Sequence, residues 1–296
     1  MIKTIDEYLE LLKRKLDGSD PATLQDALAD AEEYLRNSLE SVRAKNPAAD
    51  EGETLAAVIE EFGTPEEFAM EYKKIEARVG PAFAAARVDD NRPPFVRIFG
   101  VFTDPAAWGS LLYMLVSLVT GIIYFTWAVT GLSLSVGLLV LIISLPFIGL
   151  FFLSVRGLAL LEGRIVEGLL GTRMPRRPIF LDSKLSWWGR FKVLFTSRHT
   201  WLALVYMILM LPLGVIYFSV FVTLIALAVG FIAAPLAQLF IPFPLVIINE
   251  AQYFISPVLG FFSFLVGAAV ALGTMHLARL LGRFQASLAK AMLVSD

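Results

Sequence analysis

Residues 105–155, PAAWGSLLYMLVSLVTGIIYFTWAVTGLSLSVGLLVLIISLPFIGLFFLSV, contain no Asp, Glu, Lys or Arg. A bilayer crossing takes about 20 apolar residues, so this stretch accommodates two helices joined by a tight turn around Gly131 to Ser133. Charge is also missing between Arg198 and Glu250, and again from Ala251 to Leu277. Of the 296 residues 57% are hydrophobic and 18% charged, and the mean hydropathy is +0.68. These values exclude an ordinary soluble globule. The expected fold class is all-α, a small cytoplasmic helical domain followed by a polytopic α-helical membrane domain with two repeats of a transmembrane helix pair.

The near-neutral total of 25 Lys and Arg against 27 Asp and Glu hides a split. Residues 1–92 carry a net charge of about −9 and residues 93–296 about +7. The basic excess is diluted among apolar residues, which argues against direct nucleic-acid binding. With no cysteine, a thiolate metal site, a disulfide scaffold and a Cys nucleophile are excluded. Lys3, Asp6, Glu7, Glu10 and Lys13 interrupt any apolar signal core, so the first ninety residues are expected in the cytoplasm.

In that head, Ile5, Tyr8, Leu9, Leu12 and Leu16 recur at helical spacing. Residues 21–45 carry Leu24, Leu28, Ala31, Leu35, Ser38 and Val42 in alternating steps of four and three, a narrow seam that can pair within the domain or with a second copy of the chain. Leu55, Val58, Ile59 and Phe62 form a third stripe, and Phe68, Tyr72, Ile75 and Val79 a fourth. Between the last two, Gly63 suits a left-handed cap, Thr64 an N-cap, Pro65 the first helical position and Glu67 the third. The carboxylate neighbours Glu32 and Glu33, Glu60 and Glu61, and Glu66 and Glu67 point about 100° apart on a helix and do not converge. No phosphate loop, metal spacing or nucleophile elbow occurs, so no catalytic residue, metal or cofactor is expected, and the chain reads as a non-enzyme.

Gly80-Pro81, Asp89-Asp90 and Pro93-Pro94 break the pattern, giving a linker over 80–96 between a 1–79 domain and a 97–296 membrane domain. Within the latter, a shift of 93 positions superimposes Arg97 on Arg190, Trp108 on Trp201, Tyr113-Met114 on Tyr206-Met207, Gly121 on Gly214 and Ile123-Tyr124-Phe125 on Ile216-Tyr217-Phe218. This is the mark of a duplicated helix pair. The segment 156–171, amphipathic with Arg156, Glu162, Arg164 and Glu167 among leucines, aligns with 279–294 at an offset of 123, and both are expected to lie on the membrane surface. The difference between the offsets places about 30 extra residues near 235–256, where Pro235, Pro242, Pro244 and Pro257 suit an extracytoplasmic or re-entrant segment rather than a continuous helix. Four crossings are expected near 110–130, 133–154, 202–228 and 257–278, or six if the 235–256 insert crosses twice. The Lys and Arg of the 156–198 connection put that loop and both termini in the cytoplasm, and two crossings per repeat place a pseudo-twofold axis along the membrane normal.

Two resemblances follow. Tyr8-Leu9-Glu10-Leu11-Leu12, the Asp30 to Tyr34 stretch and Phe62-Gly63-Thr64-Pro65-Glu66-Glu67-Phe68-Ala69 resemble the HAAS signalling domain of prokaryotic membrane proteins. A His commonly follows that family's second-helix Tyr, where this chain has Leu35. Gly121 to Thr126, Gly131 to Leu138, Arg156-Gly157-Leu158-Ala159 and Leu169-Leu170-Gly171 resemble the Sensor family of membrane domains, often found ahead of histidine kinase modules. Together they imply signal perception in the cytoplasmic membrane with a cytoplasmic protein partner, either a PadR-like regulator or a kinase encoded separately, because no kinase module follows before Asp296.

As candidate sites, Tyr124-Phe125 and Tyr217-Phe218 occupy equivalent places in the repeats, either lining a symmetric ligand pocket or packing helices together. Glu250, beside Asn249, could bind a cation or a cationic peptide outside the cell, or be a solvated loop carboxylate. Arg173, Arg176 and Arg177, with Trp187 and Trp188, could grip anionic lipid or a protein partner, or serve only as a topology signal. A non-enzymatic sensor or regulator is the first reading, and a transporter-associated or permease-like protein using the repeat interface is the alternative.

Overall fold

The computed structural model of the chain describes residues 2, 4–45, 51–78, 98–138, 144–176, 189, 195–240, 244, 246–249, 251–254 and 256–294. Contacts gather the chain into two compact units. One comprises Met1–Ala82, Trp127–Tyr206 and Ser287–Asp296, the other Phe83–Thr126 and Met207–Ala286. The spatial division therefore differs from the division at 79 and 96 drawn from sequence, because the head shares its unit with two later parts of the chain. The linker expected at 80–96 lies outside the described residues.

The head consists of α1 (Ile5–Lys15), α2 (Pro21–Lys45), α3 (Glu51–Phe62) and α4 (Pro65–Arg78). Thr4 caps α1 by accepting the Glu7 amide at 3.1 Å, and Lys13, Arg14 and Lys15 occupy its last turn, where positive charge suits the helix dipole. Tyr8, Leu12 and Leu16 from α1 form a core with Ala27, Ala31 and Leu35 of α2, Leu55 and Val58 of α3 and Ala69 of α4. Each buried Leu contributes about 1.5–3 kcal/mol. The α2 seam is rotated from the expected one: Ala27, Ala31 and Leu35 are buried while Leu24 and Leu28 are only partly so. The stripe on α4 ends early, with Ile75 exposed.

The α3–α4 junction forms as its residues dictate. Gly63 takes φ 106°, Thr64 accepts the Glu67 amide at 3.3 Å and the Thr64 amide reaches the Glu67 carboxylate at 2.9 Å. That hydrogen bond from the Thr64 amide holds the Glu67 carboxyl below its ordinary pKa. The Tyr8 hydroxyl donates to the Gly63 carbonyl at 3.0 Å, and burial, followed by the Glu67 charge, pushes its pKa up to about 12.

Among the described residues four long helices follow: α5 (Pro105–Gly137), α6 (Ser144–Leu170), α7 (Arg198–Gln238) and α8 (Pro257–Leu293). All four are long and apolar enough to cross a membrane. Many of their large apolar side chains are exposed, among them Ile122 and Ile123 on α5, Val215 and Ile216 on α7 and Phe261 and Phe262 on α8. Water would penalise such surfaces and hydrocarbon does not. Pro235 inside α7 removes the amide that would satisfy the Phe231 carbonyl, and the Ser263 hydroxyl of α8 donates to that carbonyl at 2.9 Å instead. One turn further along α8, a Cβ on Gly267 would lie 3.0 Å from the Ala228 carbonyl oxygen. Small residues bring these helices together, the usual device for packing in lipid.

Several sequence expectations are corrected. The turn at Gly131 to Ser133 is absent, because α5 continues to Gly137. Gly131 is instead a helix-interior position whose missing side chain admits the Phe151 ring of α6. The segments 156–171 and 279–294 are not separate surface helices. They are the C-terminal parts of α6 and α8, since no breaker precedes Arg156 or Arg279. Glu162 and Glu167 are buried in protein rather than facing headgroups. Within 235–256, α7 runs through Pro235 to Gln238, and β1 (Val246–Ile248) pairs antiparallel with β2 (Ala251–Tyr253). Asn249, at φ 47°, opens the connection, as a tight hairpin favours. Three-residue strands are too short to span a bilayer.

Candidate functional site

α6 ends at Gly171 (φ 66°), and the chain then continues without regular secondary structure through Arg173 to Arg176. Arg173 is only 8% exposed. Its Nη2 donates to Asp26 of α2 at 2.7 Å and to Glu76 of α4 at 3.3 Å, and its Nε pairs with Glu76. Its Nη1 donates to the Met174 carbonyl at 2.6 Å and to Glu167 of α6 at 3.3 Å. The Arg176 amide reaches Asp26 at 2.7 Å, and its guanidinium reaches Glu167 at 2.8 Å. Arg164 completes the group on the outer side of Glu167 at 3.1 Å.

Three guanidinium charges thus meet the carboxylates of Asp26, Glu76 and Glu167. Burial works against the charge of Arg173, but its hydrogen bond to Glu76 and the charges of Asp26, Glu76 and Glu167 hold its pKa above the ordinary value. Balanced, multiply hydrogen-bonded charges of this kind tolerate burial, whereas removing one partner leaves an uncompensated ion. Asp26 and Glu76 belong to the head, Glu167 to α6, so the network fastens the head to the end of a long apolar helix. Lys290 near the end of α8 pairs with Asp20, just before α2, adding a second tie.

A second set of polar groups lies within the apolar helices. The Tyr206 hydroxyl donates to Glu162 at 2.8 Å. Gln285 Nε2 donates to the Tyr113 hydroxyl at 3.2 Å, and Tyr217 donates to Gln285 Oε1 at 3.1 Å. Tyr113 and Tyr206 are 93 positions apart, and Glu162 and Gln285 are 123 apart. The two bonds therefore obey both offsets read from the sequence. Trp108 and Trp201 behave likewise, their indoles donating to the Phe102 and Phe195 carbonyls at 2.8 Å each.

Of the residues singled out in the sequence, Arg173 and Arg176 come together in the docking network. Tyr217 is buried with its hydroxyl on Gln285, and Tyr124 is also buried. Phe125 and Phe218 are half-buried on the same helices. Arg177, Trp187, Trp188 and Glu250 lie outside the described residues. Asp26 and Glu76 were not singled out, and nothing local marks them, while Glu167 was read only as part of the amphipathic 156–171 pattern. Glu162 and Gln285 could have been found by applying the two offsets together.

Comparison with known families gives two matches. Residues 113–293 match the family described as Putative sensor, and residues 7–71 match HAAS. No curated protein and no solved structure matches the chain.

Proposed function

We propose, for a chain that belongs to the Sensor family through residues 113–293 and carries an HAAS domain at residues 7–71, that docking of the head is its output variable. The membrane helices respond to a signal in the bilayer. Their response changes how firmly Arg173 holds Asp26 and Glu76, and the head exposes or withholds a surface for a cytoplasmic protein. Both termini lie on the cytoplasmic side in this reading, as the Lys and Arg of the 156–198 connection require. No catalytic step is involved.

The observation that supports this most is the Arg173 network, in which one buried side chain bonds α2, α4 and α6. A regulator needs a free-energy difference between two arrangements, and a charge network is sensitive to small displacements because its energy depends on keeping every partner. Crosslinking and co-purification from cells tests the reading. Arg173→Glu should change the set or amount of cytoplasmic protein recovered with the chain, and a residue 95–296 fragment should recover none of it. Identical partners from all three would refute the head as output.

A further inference from the structure

The two offsets expose one place where the halves of the membrane part differ in charge. Arg279 of α8 forms an ion pair with Asp104 at 3.2 Å. The positions equivalent to these are Arg156, 123 residues earlier, and Ser197, 93 residues later than Asp104. Arg156 Nη2 donates to the Ser197 hydroxyl at 2.8 Å and its Nε to Thr200 at 3.1 Å. The pairing of equivalent positions is kept, through Nη2 of Arg156 where Arg279 uses Nε, but the carboxylate is gone.

Arg156 is only 9% exposed, and its Nη1 is buried without a hydrogen-bond partner. No carboxylate among the described residues pairs with it. An uncompensated guanidinium in such a position is costly, and its free N–H groups point to a missing acceptor. His199 Nδ1 is also buried and unpartnered. Both residues line one cavity, together with Gly163, Met174 and Leu293 and, from the head, Gln25.

The geometry points to this cavity as a binding site for a compact anion, of halide or carboxylate size, held by Arg156 Nη1 with His199 as second donor in its Nδ1–H tautomer. The occupant supplies the negative charge that Asp104 supplies beside Arg279. The cavity's volume of about 30 Å³ suits such an ion better than a phosphorylated headgroup. The site stands without the docking reading. Only its effect on the head, through Gln25, rests on that reading.

Thermal unfolding of the full chain in detergent, at fixed ionic strength, tests the inference. Chloride or formate replacing a bulky sulfonate should raise Tm by several degrees and saturate with concentration, as site binding requires. Ser197→Asp supplies the absent carboxylate from within, so it should raise Tm in the sulfonate buffer and abolish the anion dependence. Arg156→Gln should abolish the dependence too, and Ser197→Asp keeps the question open to measurement if that variant fails to fold. A response to inorganic phosphate or to vesicles containing anionic lipid, without one to chloride or formate, would overturn the assignment of a compact anion. Wild-type Tm indifferent to every anion, or dependence retained in Ser197→Asp, would overturn the site altogether. Head docking, read by crosslinking, can fail independently of these results.

Discussion

Gly121 and Gly214 make the same contact from opposite sides. A Cβ on Gly121 would lie 2.9 Å from the Met210 carbonyl carbon, and one on Gly214 would lie 2.8 Å from that of Ser117. Ser117 and Met210 are themselves 93 positions apart, so the contact maps onto itself under the offset that aligns the sequence. Here α5 and α7 approach backbone to backbone, the arrangement small residues permit in lipid.

Gly121→Ala and Gly214→Ala should each destabilise the protein, by roughly 1–3 kcal/mol as overpacking does. Because both act on one helix contact, the double variant should cost less than the two single costs added together. Thermal unfolding in detergent measures this, and simple additivity would show the two contacts to be independent.

Replacing Arg173 by Met leaves Asp26 and Glu76 without their shared cation. A loss of about 3–5 kcal/mol is expected from breaking a buried pair on one side. Hydrogen exchange should localise the effect to α2 and α4, with the Gly121 region of α5 unaffected. Uniform loss of protection would contradict a local docking role.

Some of this was legible in the sequence and some was not, for physical reasons. The capping box at Thr64 and Glu67 is local, three residues apart, so residue type alone specified it. The four apolar spans were legible because hydrocarbon selects composition over about 20 residues. The carboxylates that Arg173 meets in the head were not, because Asp26 lies 147 positions away and Glu76 lies 97 away, and only folding reveals which distant acids meet which base. The continuity of α6 was misread because Arg156, Glu162 and Glu167 look like a surface pattern until their partners, Ser197, Tyr206 and Arg173, are in place.

Glu162 and Gln285 occupy equivalent places, each bonded to a Tyr, so the amide already shows that a neutral side chain satisfies the arrangement. Glu162→Gln should therefore change stability by less than about 1 kcal/mol, the size of an ordinary net hydrogen bond. Glu162→Leu, which removes the carboxylate to which the Tyr206 hydroxyl donates, should cost about 1–3 kcal/mol. Equal, large losses in both would assign an essential charge to Glu162.

The capping box gives a pH dependence of defined sign. Because the folded Glu67 pKa is depressed, its stabilisation is present in full above the unfolded carboxyl pKa and is lost as pH falls through the folded value. Thr64→Ala should cost about 1 kcal/mol at neutral pH. The gap between wild type and Thr64→Ala should narrow on acidification, which hydrogen exchange of the α4 first turn can follow. A gap that widens in acid would contradict the assignment.

Docking of the head is tested most directly by a cysteine pair, since the natural chain contains no cysteine and the background is zero. Asp20→Cys with Lys290→Cys places one thiol at the start of α2 and one near the end of α8, where Asp20 and Lys290 now pair. In native membranes a short bifunctional thiol reagent should join them efficiently, and adding Arg173→Glu should sharply reduce the yield. Crosslinking that is absent in the parent pair, or unchanged by Arg173→Glu, would contradict a head held by the Arg173 network.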